Sequence, residues 1–373
     1  MQILLKNANI YPITASPFYG DVLIDEKKIS KLSPSIPPLS HMNVIDCRKK
    51  PLFPGFIDVH THLGLYDEGT GWAGNDANET IEPITPHIRA FDGVYPLDPG
   101  FQDALAYGIT TANILPGSAN VIGGTSAVLK TAGKDVSSMM VLPHSGLKIA
   151  LGENPKRIHS SGKENSITRM GIMGMLREAF SHAFHTTNDE SLRTFPITKA
   201  LRREIPVRIH AHRADDILSA VRFAKEFNLD LRIEHCTEGH LIADELDYLD
   251  LKVCVGPTIT RRSKVELKNK SWKTYSTLMN RGIEVSITTD HPYTPIQYLN
   301  VCASIAVREG LSEDLALKAI TIYPARNLKI EDRVGSIEAN KDADVVLWSH
   351  HPLHYMAKPV LTIVDGTIVY QNM

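Results

Sequence analysis

Between residues 56 and 289 the chain keeps repeating one pattern, a short apolar run that reads as a strand followed by a stretch that reads as helix or loop. The runs are Phe56 to His60, Ile109 to Leu115, Ser126 to Lys130, Leu147 to Leu151, Val207 to His210, Leu231 to His235, Val253 to Val255 and Glu284 to Thr289. Asp98-Pro99 caps a helix that stops at Gly108, with Pro in the first turn and Gly past the end. A second helix runs from about Thr168 to His185, with Ile172, Met175, Leu176, Ala179, Phe180 and Ala183 on one face. A third is capped near Asp215 or Asp216. Eight strands with helices between them predict an α/β chain built on a (β/α)8 TIM-type barrel. An open doubly wound sheet would call for GxGxxG after a strand, and no strand here is followed by one.

The ends of the chain read differently. Ile3 to Ile10, Asp21 to Ile24 and Ile29 to Leu32 alternate as short strands, and Ser33 to Ser40, with three prolines, is a non-helical connector. Asp344 to Trp348 is strand-like, and Val360 to Val364 and Thr367 to Tyr370 flank the hairpin signal Asp365-Gly366. These segments predict a small β-sandwich composed of 1–52 plus 326–373, around a barrel of 53–325, because domain termini often lie close together. A formal net charge of −2 argues against nucleic acid or an anionic membrane as partner. No apolar run approaches the roughly 20 residues of a spanning helix. The N-terminus lacks a signal-peptide apolar region, which predicts a cytoplasmic protein. Cys47, Cys236, Cys254 and Cys302 are far apart in apolar surroundings and read as reduced core thiols.

Chemistry is concentrated where the strands end. The first closes on His60-Thr61-His62, the fourth carries Lys148 and runs into Glu153, the fifth closes on His210-Ala211-His212, the sixth on Glu234-His235-Cys236 and the eighth on Thr289-Asp290-His291. The C-terminal ends of barrel strands are where active sites of such barrels lie. Alternate residues of a strand share a face, so His60 and His62 together suit one ion. Imidazole with carboxylate suits zinc or a similar divalent metal. Leu147, Ile149 and Leu151 alternate with Lys148, which turns the lysine into the barrel, where an uncompensated ammonium is costly.

Phe53-Pro54-Gly55-Phe56-Ile57-Asp58-Val59-His60-Thr61-His62 resembles the PGxIDxHxH signature of the amidohydrolase superfamily. His210, His235 and Asp290 fall where that family has its strand-five histidine, strand-six histidine and strand-eight aspartate. Gly335 to Val346 is similar to the family's GxIxxGKxADLVV return segment, with Asn340 in place of a Gly. The resemblance spans nearly the whole chain and looks closest to imidazolonepropionase-like and prolidase-like members. It implies one or two divalent metals, zinc foremost, held by His60, His62, His210, His235 and Asp290. The bridging ligand is then either Lys148, carboxylated as in many relatives, or Glu153 at the mouth of the same strand. His210 and His212 compete for one ligand place, with His212 otherwise touching substrate.

Each of these groups also has a plain structural reading. Two histidines at a strand end can be hydrogen-bonded core residues, although apolar packing rarely needs two imidazoles on one face. Arg157, Arg213 and His291 are substrate-contact candidates that could equally be surface or packing groups, and His350, His351 and His354 read as surface residues. The long loop from Gly64 to Asp98 reads as a lid or an interface decoration. Gly117 to Gly124 lacks the Gly-Lys-Ser/Thr ending of a phosphate loop.

The implied reaction is hydrolysis of an amide or cyclic-amide C–N bond in a small molecule. Asp290 would take the water's proton and pass it to the leaving nitrogen, and His235 or His212 would stabilise the oxyanion. Deamination of a heterocycle is the alternative; it favours a Glu three residues after the strand-five histidine, where this chain has Arg213 after His210, or Asp215 after His212. A metal-free structural or regulatory homologue would have lost ligand residues, and this chain keeps a candidate on every ligand strand. A homo-oligomer is compatible with the sequence. The metal reading has a direct check. Protein purified without chelator is expected to contain a divalent metal, and stripping should remove activity that zinc or manganese restores; metal-free protein that takes up neither ion would end this reading.

Overall fold

The computed structural model describes residues 2–160, 167–186, 191–246 and 250–372. The central runs form one sheet of eight strands: β1 (Phe56–Thr61), β2 (Ile109–Ile114), β3 (Ile122–Lys130), β4 (Met140–Ala150), β5 (Val207–Ala211), β6 (Leu231–His235), β7 (Lys252–Val255) and β8 (Glu284–Ile287). Their order across the sheet follows the chain. The last strand returns to the first, since the His62 N–H donates to the His291 carbonyl at 2.9 Å and Thr288 Oγ1 lies 2.6 Å from the His60 carbonyl. The fold is mixed α/β, with a nearly closed eight-stranded barrel.

One strand departs from the parallel pattern expected from the sequence. β3 runs antiparallel to both β2 and β4, while the remaining neighbours are parallel. The reason is the length of chain on either side. Only residues 115–121 lead into β3 and only 131–139 lead out, and a parallel crossover takes roughly a dozen residues or more. Hairpin-like returns are what those lengths permit.

The helices begin and end for local reasons. The Asp98 carboxylate accepts the Gly100 N–H at 2.8 Å and starts the helix Pro99–Ala106. That segment ends at Gly108, with φ of 79°, where a Cβ would stand 2.9 Å from Trp348 Cζ2. Thr168 caps the helix Arg169–His185, which buries Ile172, Leu176, Phe180 and Ala183. The helix Ala214–Glu226 has Arg213 at its N-cap, two residues before Asp215, the earlier of the two caps expected, so Asp215 and Asp216 sit in its first turn, where carboxylates suit the helix dipole.

Both chain ends enter one second sheet. Its order is Thr367–Gln371, Pro359–Val364, Val345–Trp348, Pro51–Pro54, Gln2–Ile10, Phe18–Asp25 and Lys28–Ser33, with Asn43–Asp46 also paired to Gln2–Ile10. Its core includes Ile3, Leu5, Ile10, Val22, Ile24, Val345, Leu347 and Ile363, all buried. All four cysteines are buried and free. His351 is half-buried against Tyr11 and Phe53, with ring centroids 5.6 and 5.4 Å away, so it is a packing residue and not the surface residue expected. Among the described residues no helix is long and apolar enough to cross a membrane.

The two sheets are joined by a buried ion cluster. Lys130, the last residue of β3, places Nζ 2.7 Å from Asp344, 3.0 Å from Asp342 and 3.2 Å from Asp365. Lys28 and Arg333 also reach Asp342, at 2.7 and 2.8 Å. Burial opposes ionisation of Asp342, but Lys130, Lys28 and Arg333 overcome it and hold the carboxyl down at about 2. A carboxyl depressed in the folded state stabilises above its unfolded pKa and loses that contribution as pH falls toward the folded value. Lys130→Met should therefore lower the unfolding free energy at pH 7 by about 3 kcal/mol, because it strands buried carboxylates. The deficit should shrink as pH drops from 4 toward 2. Urea unfolding across that range checks both statements, and a pH-independent deficit would contradict the electrostatic account.

Candidate active site

Period-two alternation decides what enters the barrel. In β1, Ile57 and Val59 pack toward Ile322 and Ala325 of the helix Ile322–Leu328, which leaves Asp58 and His60 on the opposite face. Asp58 closes the barrel. Its carboxylate accepts Thr288 Oγ1 and Thr289 Oγ1, each at 2.5 Å, and the Thr289 N–H at 3.1 Å. Burial pushes its carboxyl up to about 6, against these hydrogen bonds.

His60 and His62 converge on Asp290. Both Nε2 atoms lie 3.4 Å from Asp290 Oδ1. The far side of each ring is tied down, with His60 Nδ1 2.7 Å from Glu234 Oε2 and His62 Nδ1 2.8 Å from the Leu115 carbonyl. A carboxylate or carbonyl can only accept, so Nδ1 carries the proton and the Nε2 lone pair faces Asp290. His235 obeys the same rule through the Gly256 carbonyl at 2.7 Å. Strict alternation after Glu234 would turn His235 out of the barrel. Left-handed backbone at His235 and Cys236, with φ of 72° and 44°, turns it back in.

His210, His212 and His235 form a second group, their ring centroids 4.5 to 4.7 Å apart. His212 Nδ1 is 2.7 Å from Thr237 Oγ1. Burial holds His60, His210 and His212 well below the ordinary imidazole range, and takes His235 down to about 3 although Asp290 opposes it. Neutral imidazoles are what a cation needs. Lys148 is buried with Nζ 3.4 Å from His60 Nε2. Burial pulls its ammonium down to about 8, with Glu234 and Asp290 opposing.

The donor set fits divalent metal. Both ring nitrogens of His210 and Oδ1 of Asp290 are buried and without a hydrogen bond. A neutral imidazole offers one lone pair, so a cation would account for Asp290 Oδ1 and for one of the two His210 nitrogens. Ligand atoms of His60, His62 and Asp290, and of His210, His212 and His235, lie within 4.8 Å of one another in each group.

Above these groups opens a cavity of about 490 Å³, of a size for a small molecule. Its floor includes His62, His210, His212, His235 and Asp290, and its wall includes Glu153 and Arg157. Two expected contacts are not on that lining. Arg213 turns outward to Asp215, at 3.0 Å, and His291 is buried behind the site with Nε2 3.7 Å from Glu68. Tyr66, Asn78, Asn154, Lys264 and Tyr293 line the cavity without having been singled out in the sequence. Tyr66 and Asn78 come from the long loop read as a lid, so its length was the available signal. Glu266, behind the wall, lies 3.9 and 3.7 Å from Nε2 of His210 and His212 and 2.6 Å from Lys264. No motif marks it, because it comes from the connection between β7 and β8.

A family model described as "Amidohydrolase family" matches residues 52–369. An amidohydrolase named tasK from Hapsidospora irregularis is 29% identical over 95% of this chain but only 40% of its own length, so the chain spans less than half of that relative. An imidazolonepropionase from Thermoplasma acidophilum is 25% identical, over 94% of this chain and 89% of the relative. Among solved structures, an amidohydrolase from Thermotoga maritima MSB8 superposes with a TM-score of 0.96 at 41% identity, covering 99% of this chain and 100% of the other.

The two donor groups make a testable claim. His60→Ala and His235→Ala are each expected to lower bound divalent metal by at least about ten-fold while circular dichroism stays native. Both variants unfolding, or both keeping full metal, would return the histidines to a purely structural role.

Proposed function

The chain belongs to the amidohydrolase family and is a hydrolase of carbon–nitrogen bonds; from that premise we propose that it is a metal-dependent enzyme cleaving an amide or cyclic-amide bond of a small molecule. The observation that carries this reading is the convergence of His60 Nε2 and His62 Nε2 on the unbonded Asp290 Oδ1, beside a triad of neutral imidazoles. His60, His62 and Asp290 would hold one cation, and His210 and His235, with His212 beside them, a second. Nitrogen and oxygen donors in this number suit zinc. Lys148, inside the barrel and close to His60, is assigned as the carboxylated bridging ligand. Glu153, on the cavity wall, is assigned to substrate.

A divalent cation in such a donor set supplies Lewis acidity, polarising a carbonyl and bringing a water's pKa from about 16 toward 7. The chain's own residues do the rest. Asp290 stands at the cavity floor, where its carboxylate accepts the water's proton and delivers it to the leaving nitrogen. His212 is also on the floor, with Nδ1 toward Thr237, and orients the substrate carbonyl. Arg157, Asn154 and Lys264 on the wall bind the polar remainder of the substrate.

Deamination of a heterocycle is a second reading, and Glu266 favours it. Neither strand-five histidine has a Glu three residues after it, yet the fold brings this buried carboxylate within 3.9 Å of both. Ammonia release from aminated heterocycles, measured beside hydrolysis of N-acyl amino acids, dipeptides, hydantoins and imidazolones, separates the two readings.

Asp290→Asn keeps size and one coordinating oxygen but removes the base. Metal content and substrate affinity should stay near wild type while turnover falls at least about 100-fold, the low end of a general-base contribution. Near-normal turnover in the metal-loaded variant would transfer the role to another group.

A further inference from the structure

His60 differs from the other site histidines in what holds its far nitrogen. His62 and His235 use backbone carbonyls and His212 a threonine hydroxyl, whereas His60 uses the carboxylate of Glu234. Glu234 is fully buried, and its second oxygen accepts Arg208 Nη1 at 2.5 Å. Arg208, equally buried, donates through Nη2 to Asn327 Oδ1 at 2.8 Å and through Nε to the Ser145 carbonyl at 3.3 Å. The fold makes room for it, because a Cβ on Gly146 would stand 2.8 Å from Arg208 Cγ. One connected path therefore runs from the helix Ile322–Leu328, through β5 and β6, to the first-strand histidine.

An anionic partner on one ring nitrogen raises the basicity of the other and fixes the ring's orientation more strongly than a neutral carbonyl does. Arg208 locks the carboxylate in place and balances its charge within the barrel. We propose that Glu234, clamped by Arg208, is a positioning residue that makes His60, His62 and Asp290 the tighter of two cation sites, leaving His210, His212 and His235 as the weaker and more readily exchanged one. The proposal rests on the metal-dependent reading above and adds to it an order of affinity and the side chain responsible.

The experiment is a titration of metal-stripped, full-length protein with Co²⁺, followed by equilibrium dialysis and by the visible d–d absorption of the bound ion. Wild type should fill in two separable steps. Glu234→Gln should weaken the first step about 10- to 100-fold, move the second by less than about three-fold, and alter the spectrum of the first-bound ion. Glu234→Asp, which keeps the charge but shortens the reach, should fall between the two. Circular dichroism of the stripped proteins checks folding. Should Glu234→Gln not fold with its guanidinium stranded, the double variant Arg208→Met with Glu234→Gln carries the same test. Wild-type protein that binds no Co²⁺ would sink the metal-dependent function itself. Wild-type sites of equal affinity would overturn this proposal alone, as would a variant that weakens both steps equally or neither, or loss of folding in both variants.

Discussion

Burying a group of imidazoles makes an acceptor for each protonated ring nitrogen valuable, and three of the clustered histidines have a carboxylate or a backbone carbonyl in that place. That pairing organises the site. Glu234, Leu115 and Gly256 supply the acceptors for His60, His62 and His235, and each contact turns an Nε2 lone pair toward the shared centre. The acceptors come from β6, from the end of β2 and from the end of β7, so the histidines converge only when the barrel has nearly closed. Asp58 belongs to the same logic from the other side. By taking both Thr288 and Thr289 it draws β8 against β1 and brings Asp290 opposite His60.

A polar barrel interior also needs support from outside. Arg208 and Arg232 both reach Asn327, on a helix that precedes the C-terminal strands. Lys130 binds the end of β3 to Asp342, Asp344 and Asp365 of the returning chain. The sheet formed by the two termini is thus tied to the barrel by charges that are costly to separate once buried. The support of the clustered side chains therefore includes segments far from the cavity in sequence.

Much of the site was legible before the fold was known. Local spacing places His60 and His62 on one face and polar residues at the strand ends, and the resemblance to the amidohydrolase signature singles out His210, His235 and Asp290 among them. Other residues were not legible. The neighbourhood of Glu234 reads as a strand end, but its partner Arg208 lies 26 residues earlier and His60 lies 174 residues earlier. Glu266 and Lys264 reach the site from a connection without regular pattern. Arg213 and His291 adjoin motif residues, yet local backbone direction carries one out to Asp215 and the other behind the cavity floor.

The sequence by itself determined the runs that become barrel strands, the helix starts at Asp98 and Thr168, the polar residues at the strand ends and the C-terminal hairpin at Asp365-Gly366, because each follows from periodicity, capping or turn chemistry within a few residues. The tertiary structure alone decided that β3 runs antiparallel, that His235 joins the cluster through left-handed backbone, and that a carboxylate holds His60. The reason is physical. Hydrogen bonds between buried side chains depend on which strands become neighbours and in what register. Those neighbours are chosen by closing the whole sheet, at separations along the chain where no local pattern survives.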